Sequence, residues 1–318
     1  MSARAAFHIE LVPEAAAAAR VVVVGLGNAG GRALAAACER GFGGPRAIVV
    51  APSPPALPPE IEGFSPERDD ASIDRALASA DLVIVVASLG GASGAALAPP
   101  FVRRAREHGA LVLAAVALPL ALEGSRRVRR AAEALRAVAA EAHGTIPIDG
   151  AAASGPDAVT LGDARHAVDV TVHGVIDAIV AGFDPHARAR VQLGELRALW
   201  RSPARLAAGR GVAVGPSRAH EAVGEAVLAL GDHVLGEASA VLVGISGGAD
   251  LRLHEVNAAA AALLELVGPR TEVLVSARST PAAEGALAVT LLADVSSARR
   301  PVEPLASRHR GESALAPH

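Results

Sequence analysis

The stretch that decides the fold is "DLVIVVASLGGASGAALAPP", Asp81 to Pro100. A continuous apolar run enters a turn of glycine and alanine with one serine, and a helix-favouring segment follows. An unbroken run of Val, Ile and Leu bounded by a turn reads as a strand buried on both faces, as in a parallel sheet. A turn without bulky side chains leaves backbone N–H groups open at the start of the next helix, where an anion can sit.

Working outward, the same strand–glycine turn–helix pattern occurs upstream. Arg20 to Gly25, "RVVVVG", is followed by "LGNAGGRALAAACERGF". "AIVVAPSPPALPPE" is a second strand entering a proline-rich loop that cannot continue it. "ASIDRALASA" reads as a helix, "ALVLAAVALPL" as a strand, "SRRVRRAAEALRAVAAEAHG" as a helix and "TIPID" as a short strand. Strands alternating with helices predict an α/β domain, a parallel Rossmann-like sheet covered on both faces. "DARHAVDVTVHGVIDAIVAGF" is a long helix whose apolar positions recur at three- and four-residue steps, a connector between two domains. Beyond Arg205, a helix "SRAHEAVGEAVLAL", a strand "ASAVLVGISGG", a helix "LHEVNAAAAALLELV" and a strand pair, "TEVLVSARST" with "GALAVTLLADV", predict a smaller α+β domain. "PEAAAAAR", with Pro13 near its start, reads as a leading helix, and the polar residues from Ser297 as a disordered tail.

Composition removes several function classes. The 318 residues are 51% hydrophobic but 2% aromatic, so the core is built from Ala, Val and Leu packed closely. A net charge of −3 creates no field favouring nucleic acid or an anionic membrane. No lysine occurs, which removes a P-loop lysine, a Schiff base and a catalytic ammonium. Cys38 is the one cysteine, which excludes an intrachain disulfide and a thiolate metal cluster. The amino-terminal stretch lacks a secretory pattern and the apolar strands are far too short to span a bilayer, so the expectation is a soluble, cytoplasmic protein.

Several motifs remain open at this level. Gly25, Gly27 and Gly30 fit G-x-G-x-x-G, the dinucleotide fingerprint, but the second strand ends Ala51-Pro52-Ser53 without the acid that would hold a ribose. "GISGG", Gly244 to Gly248, fits the nucleophile elbow of an esterase, with Asp294 and His309 downstream. His166, Asp169 and His173 share a helix face and would need a fourth ligand to hold a metal, so no metal site is assigned. "RRVRRAAEALR" carries a basic run without aromatic residues to stack on bases, and reads as a solvated helix face. The strongest signal is the pair of glycine turns. Both helix N-termini would aim free N–H groups and dipoles at one crevice, and a phosphate chain across them needs no lysine.

On these residues the chain resembles the FtsZ/tubulin family, in its bacterial FtsZ branch. Gly25-Leu26-Gly27-Asn28-Ala29-Gly30-Gly31 stands where the family has its first glycine-rich loop. Ser88-Leu89-Gly90-Gly91-Ala92-Ser93-Gly94, followed by Ala98-Pro99, looks like the signature G-G-G-T-G-[ST]-G. Pro119, Leu122, Glu123, Gly124 and Arg127 resemble P-x-x-F-E-G-x-x-R, whose Glu and Arg contact the nucleoside. "SAVLVGISGGADLRLHEV" looks like the second domain's G-x-L-x-N-I-[ST]-G-G-x-D-L-x-L-x-E. The resemblance runs in consistent order from about Arg20 to Val295. It implies an extension over 1–19, a nucleotide-binding-type domain over 20–162, a central helix and catalytic-type loop over 163–204, an α+β domain over 205–296 and a tail over 297–318.

Departures from the pattern fall in separate segments. Ala92, Ala95 and Ala96 replace Gly, Thr and Gly in the signature, and the added methyls are expected to crowd a phosphate. Together with Leu89, Ala92 and Ala95 are expected to give the crevice small apolar walls. The glycine-rich segment that senses the terminal phosphate is missing after the second strand, where "PPEIEGFSPERDDAS" is too short to contain it. The guanine-reading Asn and Asp fall on Arg165 and His166. The catalytic loop N-x-D-x-x-D falls on Arg190 to Glu195, leaving Gln192 and Glu195 as the candidate water-orienting pair. The resemblance thus implies GTP or GDP as the ligand of a degenerate site, with weak or absent hydrolysis. It also implies head-to-tail assembly with itself or with a true FtsZ, and membrane contact only through others. The alternative is an active GTP-binding FtsZ-type GTPase acting in cell division.

Overall fold

The computed structural model describes residues 19–41, 44–153, 160–200, 203–231, 233–280 and 283–296. The leading helix expected around Pro13 and the tail beginning at Ser297 lie outside the described residues. The chain runs β1 (Val21–Leu26), α1 (Gly27–Glu39), β2 (Arg46–Val50), β3 (Ile61–Phe64), α2 (Asp70–Ala78), β4 (Leu82–Ser88), α3 (Ala92–Glu107) and β5 (Leu111–Leu118). A 3-10 turn at Ala121–Glu123 leads to α4 (Ser125–Glu141), β6 (Gly144–Asp149), α5 (Gly150–Ala153), the long α6 (Leu161–Ala181) and α7 (Leu193–Leu199). The remainder is β7 (Ala204–Val214), α8 (Arg218–Leu230), α9 (Val234–Glu237), β8 (Ala240–Gly247), α10 (Leu253–Leu264), β9 (Glu272–Ser279) and β10 (Ala286–Asp294).

The strands join in the order β3-β2-β1-β4-β5-β6-β7-β10-β8-β9. From β3 to β7 every pairing is parallel. This follows from the sequence: β1, β4 and β5 are almost wholly Val, Ile, Leu and Ala, and are buried along nearly their entire length. One face carries α1 and α6, through Leu34, Val175, Ile176 and Ile179. The other carries α2, α3 and α4, through Leu77, Phe101, Val102 and Val138. Small side chains let the helices close on the sheet, as a core with so few aromatics requires.

The second unit corrects part of the expectation. β9 and β10 do not pair with each other: β10 lies antiparallel between β7 and β8, and β9 pairs parallel with β8. Two strands were not expected at all. β3 is four residues inside a proline-rich stretch. β7 is hidden by Gly209 and Gly211, which lack the apolar signal of a strand. Both are required there, because a Cβ at either would lie 2.2 Å from a carbonyl oxygen of α8, that of Ala226 or Ala222. β7 touches β6 only at Gly144↔Ala204 and Thr145↔Arg205, so the two units share a narrow seam of sheet.

Within the second unit, Arg218 at the start of α8 is 6% exposed. Its guanidinium donates to both oxygens of Glu255 on α10, at 2.7 and 3.0 Å, and to Asp250 at 2.6 Å. Glu255 also accepts from the Arg252 N–H at 2.8 Å, which caps α10. The Arg218 side chain, followed by that capping bond, holds the Glu255 carboxyl down at about 2. A carboxyl whose folded pKa lies below its ordinary value stabilises the fold above that value. The contribution should therefore be full above about pH 4.5 and lost as pH falls towards about 2. Replacing Arg218 with Met strands a buried carboxylate and should cost about 3–5 kcal/mol. The urea midpoint, read by fluorescence of Trp200, the one tryptophan, should fall accordingly and lose the share of its pH dependence between 4.5 and 2 that Glu255 supplies.

Candidate functional site

The strand order reverses between β1 and β4, and in an open parallel sheet ligands bind at the carboxyl ends of the strands flanking that point. Both glycine turns lie there. The first closes β1 and opens α1, where Gly27 adopts φ +69°. The second closes β4 and opens α3 at Ala92. The turns touch: a Cβ on Gly27 would lie 2.7 Å from Ser93 Oγ and 2.9 Å from the Gly94 nitrogen. Neither helix has a side-chain cap, and the first-turn N–H groups of a helix have no acceptor within it.

Not every glycine of these turns serves the crevice. A Cβ on Gly30 would meet the Val86 carbonyl oxygen at 2.5 Å, one on Gly94 the Ser88 oxygen at 2.3 Å and one on Gly25 the Gly30 oxygen at 2.8 Å. These three are required by backbone packing of the turns against β1 and β4. Gly31 meets the Val49 side chain and Gly90 that of Pro119, both at 2.8 Å, whereas a Cβ on Gly91 would make only an ordinary contact, with the Ser88 oxygen at 3.8 Å. Asn28, Ala92 and Ala96 are exposed, with Ala29 and Ser93 half-buried. The expected apolar walls need correction. Leu89 is 0% and Ala95 8% exposed, both in the core, so of the three residues only Ala92 puts a methyl group outward.

At the rim beyond β5, the Glu123 carboxylate accepts from the Leu120 N–H at 3.0 Å and pairs with Arg127 at 2.6 Å. Arg165 and His166 are exposed on the first turns of α6. The donor set fits a phosphate chain held by backbone amides of two helices. Neither Arg165 nor His166 carries a carboxylate that could accept from the N1–H and N2–H donors of a guanine base.

Gln192 and Glu195 are not brought to the crevice. Glu195 is at the third position of α7, and its Oε2 accepts the Gln192 backbone N–H at 2.6 Å, capping the helix. The neighbouring Arg197 donates to the Gly109 carbonyl at 2.9 Å, and Gly109 precedes β5. α7 therefore lies at the amino ends of β4 and β5, whereas the glycine turns lie at the carboxyl ends. Strands of this length separate the two by roughly 20 Å.

The structure also places the three other motifs. Ser246 is within β8, 8% exposed, and Asp294 lies at the opposite end of the neighbouring strand, so "GISGG" forms no nucleophile elbow; His309 is outside the described residues. His173 is buried, with its pKa pushed down to about 4 by that burial, whereas His166 is exposed. Among the described residues no group of three His, Cys, Asp or Glu could hold a metal ion. The basic run lies on α4, where Ala131, Ala134 and Val138 face the core and Arg126 and Arg129 face outward. Also among the described residues, no helix is long and apolar enough to cross a membrane.

Gly27→Ala tests the contact between the turns. It forces an L residue into left-handed backbone, costing roughly 1–2 kcal/mol, and drives a methyl into Ser93 and Gly94. Unfolding should show the loss, and Gly91→Ala, whose Cβ meets nothing closer than ordinary contact distance, should show little.

Comparison with known proteins agrees with this architecture. A Tubulin/FtsZ family GTPase-domain model matches residues 59–154 and an FtsZ family C-terminal-domain model matches residues 205–295. The cell division protein FtsZ of Rhizobium radiobacter is 29% identical over 240 residues, covering 74% of this chain and 41% of that protein. That of Caulobacter vibrioides is 26% identical over 301 residues, covering 86% and 59%. The chain thus spans about two- to three-fifths of the length of these curated relatives. Among solved structures, the empty FtsZ dimer of M. jannaschii superposes with a TM-score of 0.79 at 21% identity, over 88% of this chain and 90% of that one. The GTPγS-bound CetZ2 protofilament of Haloferax volcanii gives 0.64 at 23%, over 86% and 92%. Both likenesses concern the fold. With its two domain types matched in order on that fold, the chain belongs to the FtsZ/tubulin superfamily as a divergent FtsZ-like protein.

Proposed function

We propose that this chain is a cytoplasmic assembly protein of the FtsZ-like cytoskeleton, joining head to tail with itself or with a true FtsZ around a degenerate GTP site that hydrolyses weakly or not at all. One observation carries the reading. The glycine turns and the Gln192–Glu195 segment lie at opposite poles of one sheet, so a single chain cannot bring them together, whereas a second copy stacked end to end can. Such a contact is heterologous and generates open filaments.

The degeneracy rests on what each half offers. The crevice holds amide donors suited to phosphate, with Gly25, Gly27, Gly30, Gly31, Gly90, Gly91 and Gly94 shaping the turns. Arg165 and His166 leave the base without a matching acceptor pair. At the other pole, Gln192 is an amide where the family has an acid, and Glu195 already accepts the Gln192 N–H. A carboxylate used as a cap is a poor base for water.

The alternative is an active GTPase serving division, and the Glu123–Arg127 pair at the rim favours it. Glu195→Gln separates the two. Gln also forms a capping box, so α7 is kept. Under the degenerate reading phosphate release should stay at its low level, whereas an active site should lose about 10²–10⁴ in rate. The same preparation, free of added nucleotide, should form filaments by electron microscopy or co-pellet with an FtsZ, and carry no stoichiometric guanine nucleotide. Monomers that hold GDP and turn over GTP would refute the reading.

A further inference from the structure

Three consecutive residues of β9 each hold a different part of the molecule. Ser276 Oγ donates to the Ala178 carbonyl of α6 at 2.7 Å. Ala277 bridges the segment after α6, its carbonyl accepting from the Arg188 N–H at 2.7 Å and its N–H donating to the Ala189 carbonyl at 3.1 Å. Arg278 is ion-paired with Asp177 of α6, and its Nη2 also donates to the Gly41 carbonyl, just past α1, at 2.8 Å. All three are buried, Arg278 being 4% and Asp177 5% exposed.

A buried ion pair is seldom the most stabilising choice for such a position, since well-packed apolar groups often do as well. Geometry explains this one better. One terminal nitrogen, Arg278 Nη2, reaches both the Asp177 carboxylate on α6 and the Gly41 carbonyl just past α1, so a single side chain ties two segments together. The partners are also placed at mechanically connected points. α1 opens at the first glycine turn and ends beside Gly41, while Arg188 and Ala189 lead directly to Gln192 and Glu195. A short helix transmits a shift at one end to the other with little bending, and packed elements move as bodies.

We propose that Ser276–Arg278 is a coupling junction that makes α1 and the Arg188–Glu195 segment move together, so that the two poles of the molecule sense each other. The junction deepens the head-to-tail reading, but its test uses the isolated chain without nucleotide or filament, so the two stand or fall separately.

Hydrogen exchange of the full chain, read by mass spectrometry, provides the test. Arg278→Met should accelerate exchange by about tenfold or more in both α1's last turn and residues 188–195. Adding Asp177→Asn to it should bring no further acceleration, because both changes remove one linkage. Arg46→Met, which breaks the exposed pair with Glu62, should leave both segments at the wild-type rate. If Arg278→Met fails to fold, Arg278→Lys keeps the charge but ends about one bond short of Nη2, and should give the same paired response at smaller size. Acceleration confined to β9, or in one segment without the other, overturns the proposal. So does an equal response to Arg46→Met.

Discussion

The approach of two helix amino ends across the β1–β4 switch point is the constraint from which the rest of the molecule follows. Gly27 lies against Ser93 and Gly94 so closely that a single methyl group cannot be inserted. That contact fixes α1 on one face of the sheet and α3 on the other while pointing both sets of orphan N–H groups into the same space. It also explains why most glycines of the two turns are needed even in the absence of a ligand: Gly25, Gly30 and Gly94 are filled by neighbouring backbone. The phosphate-binding shape is thus partly a by-product of strand–helix packing, and its survival says little by itself about nucleotide turnover.

The second consequence comes from strand length. Whatever follows α6 returns to the amino ends of β4 and β5, where Arg197 anchors α7 on Gly109. Under the proposed head-to-tail reading, chemistry that needs both poles needs two molecules, and assembly and any hydrolysis would then be bound together by topology. The seam between the units is correspondingly elaborate for a protein with so small-sided a core. β6 and β7 share two residue pairs, and α6 is clasped by β8 through Gly244 against Ala178 and by β9 through Ser276 and Arg278.

Much of this was legible in the sequence. The strands β1, β4 and β5 announce themselves as uninterrupted apolar runs, and α6 by its three- and four-residue periodicity. What was hidden was set by partners distant along the chain. β7 reads as a loop because Gly209 and Gly211 give way to α8. β10 was paired with its sequence neighbour β9, although the strand that accepts it is β7 on one side and β8 on the other. Leu89 and Ala95 looked like crevice walls because a turn sequence does not reveal which residues fold back into the core. The Glu195 cap, by contrast, is local: its carboxylate turns to the N–H of Gln192, three residues back, in the spacing of a capping box. Asp177 and Arg278 lie so far apart in sequence that their pairing is visible only once the sheet has formed.

The most direct test of the central claim, that the crevice grips phosphate but does not read guanine, is calorimetric titration of nucleotide-free protein with GDP, ADP and inorganic pyrophosphate. The account predicts that GDP and ADP bind within about tenfold of each other, a difference of no more than about 1.4 kcal/mol, with pyrophosphate close behind. GDP binding about a thousandfold more tightly than ADP would contradict it, because only an intact base reader produces that preference.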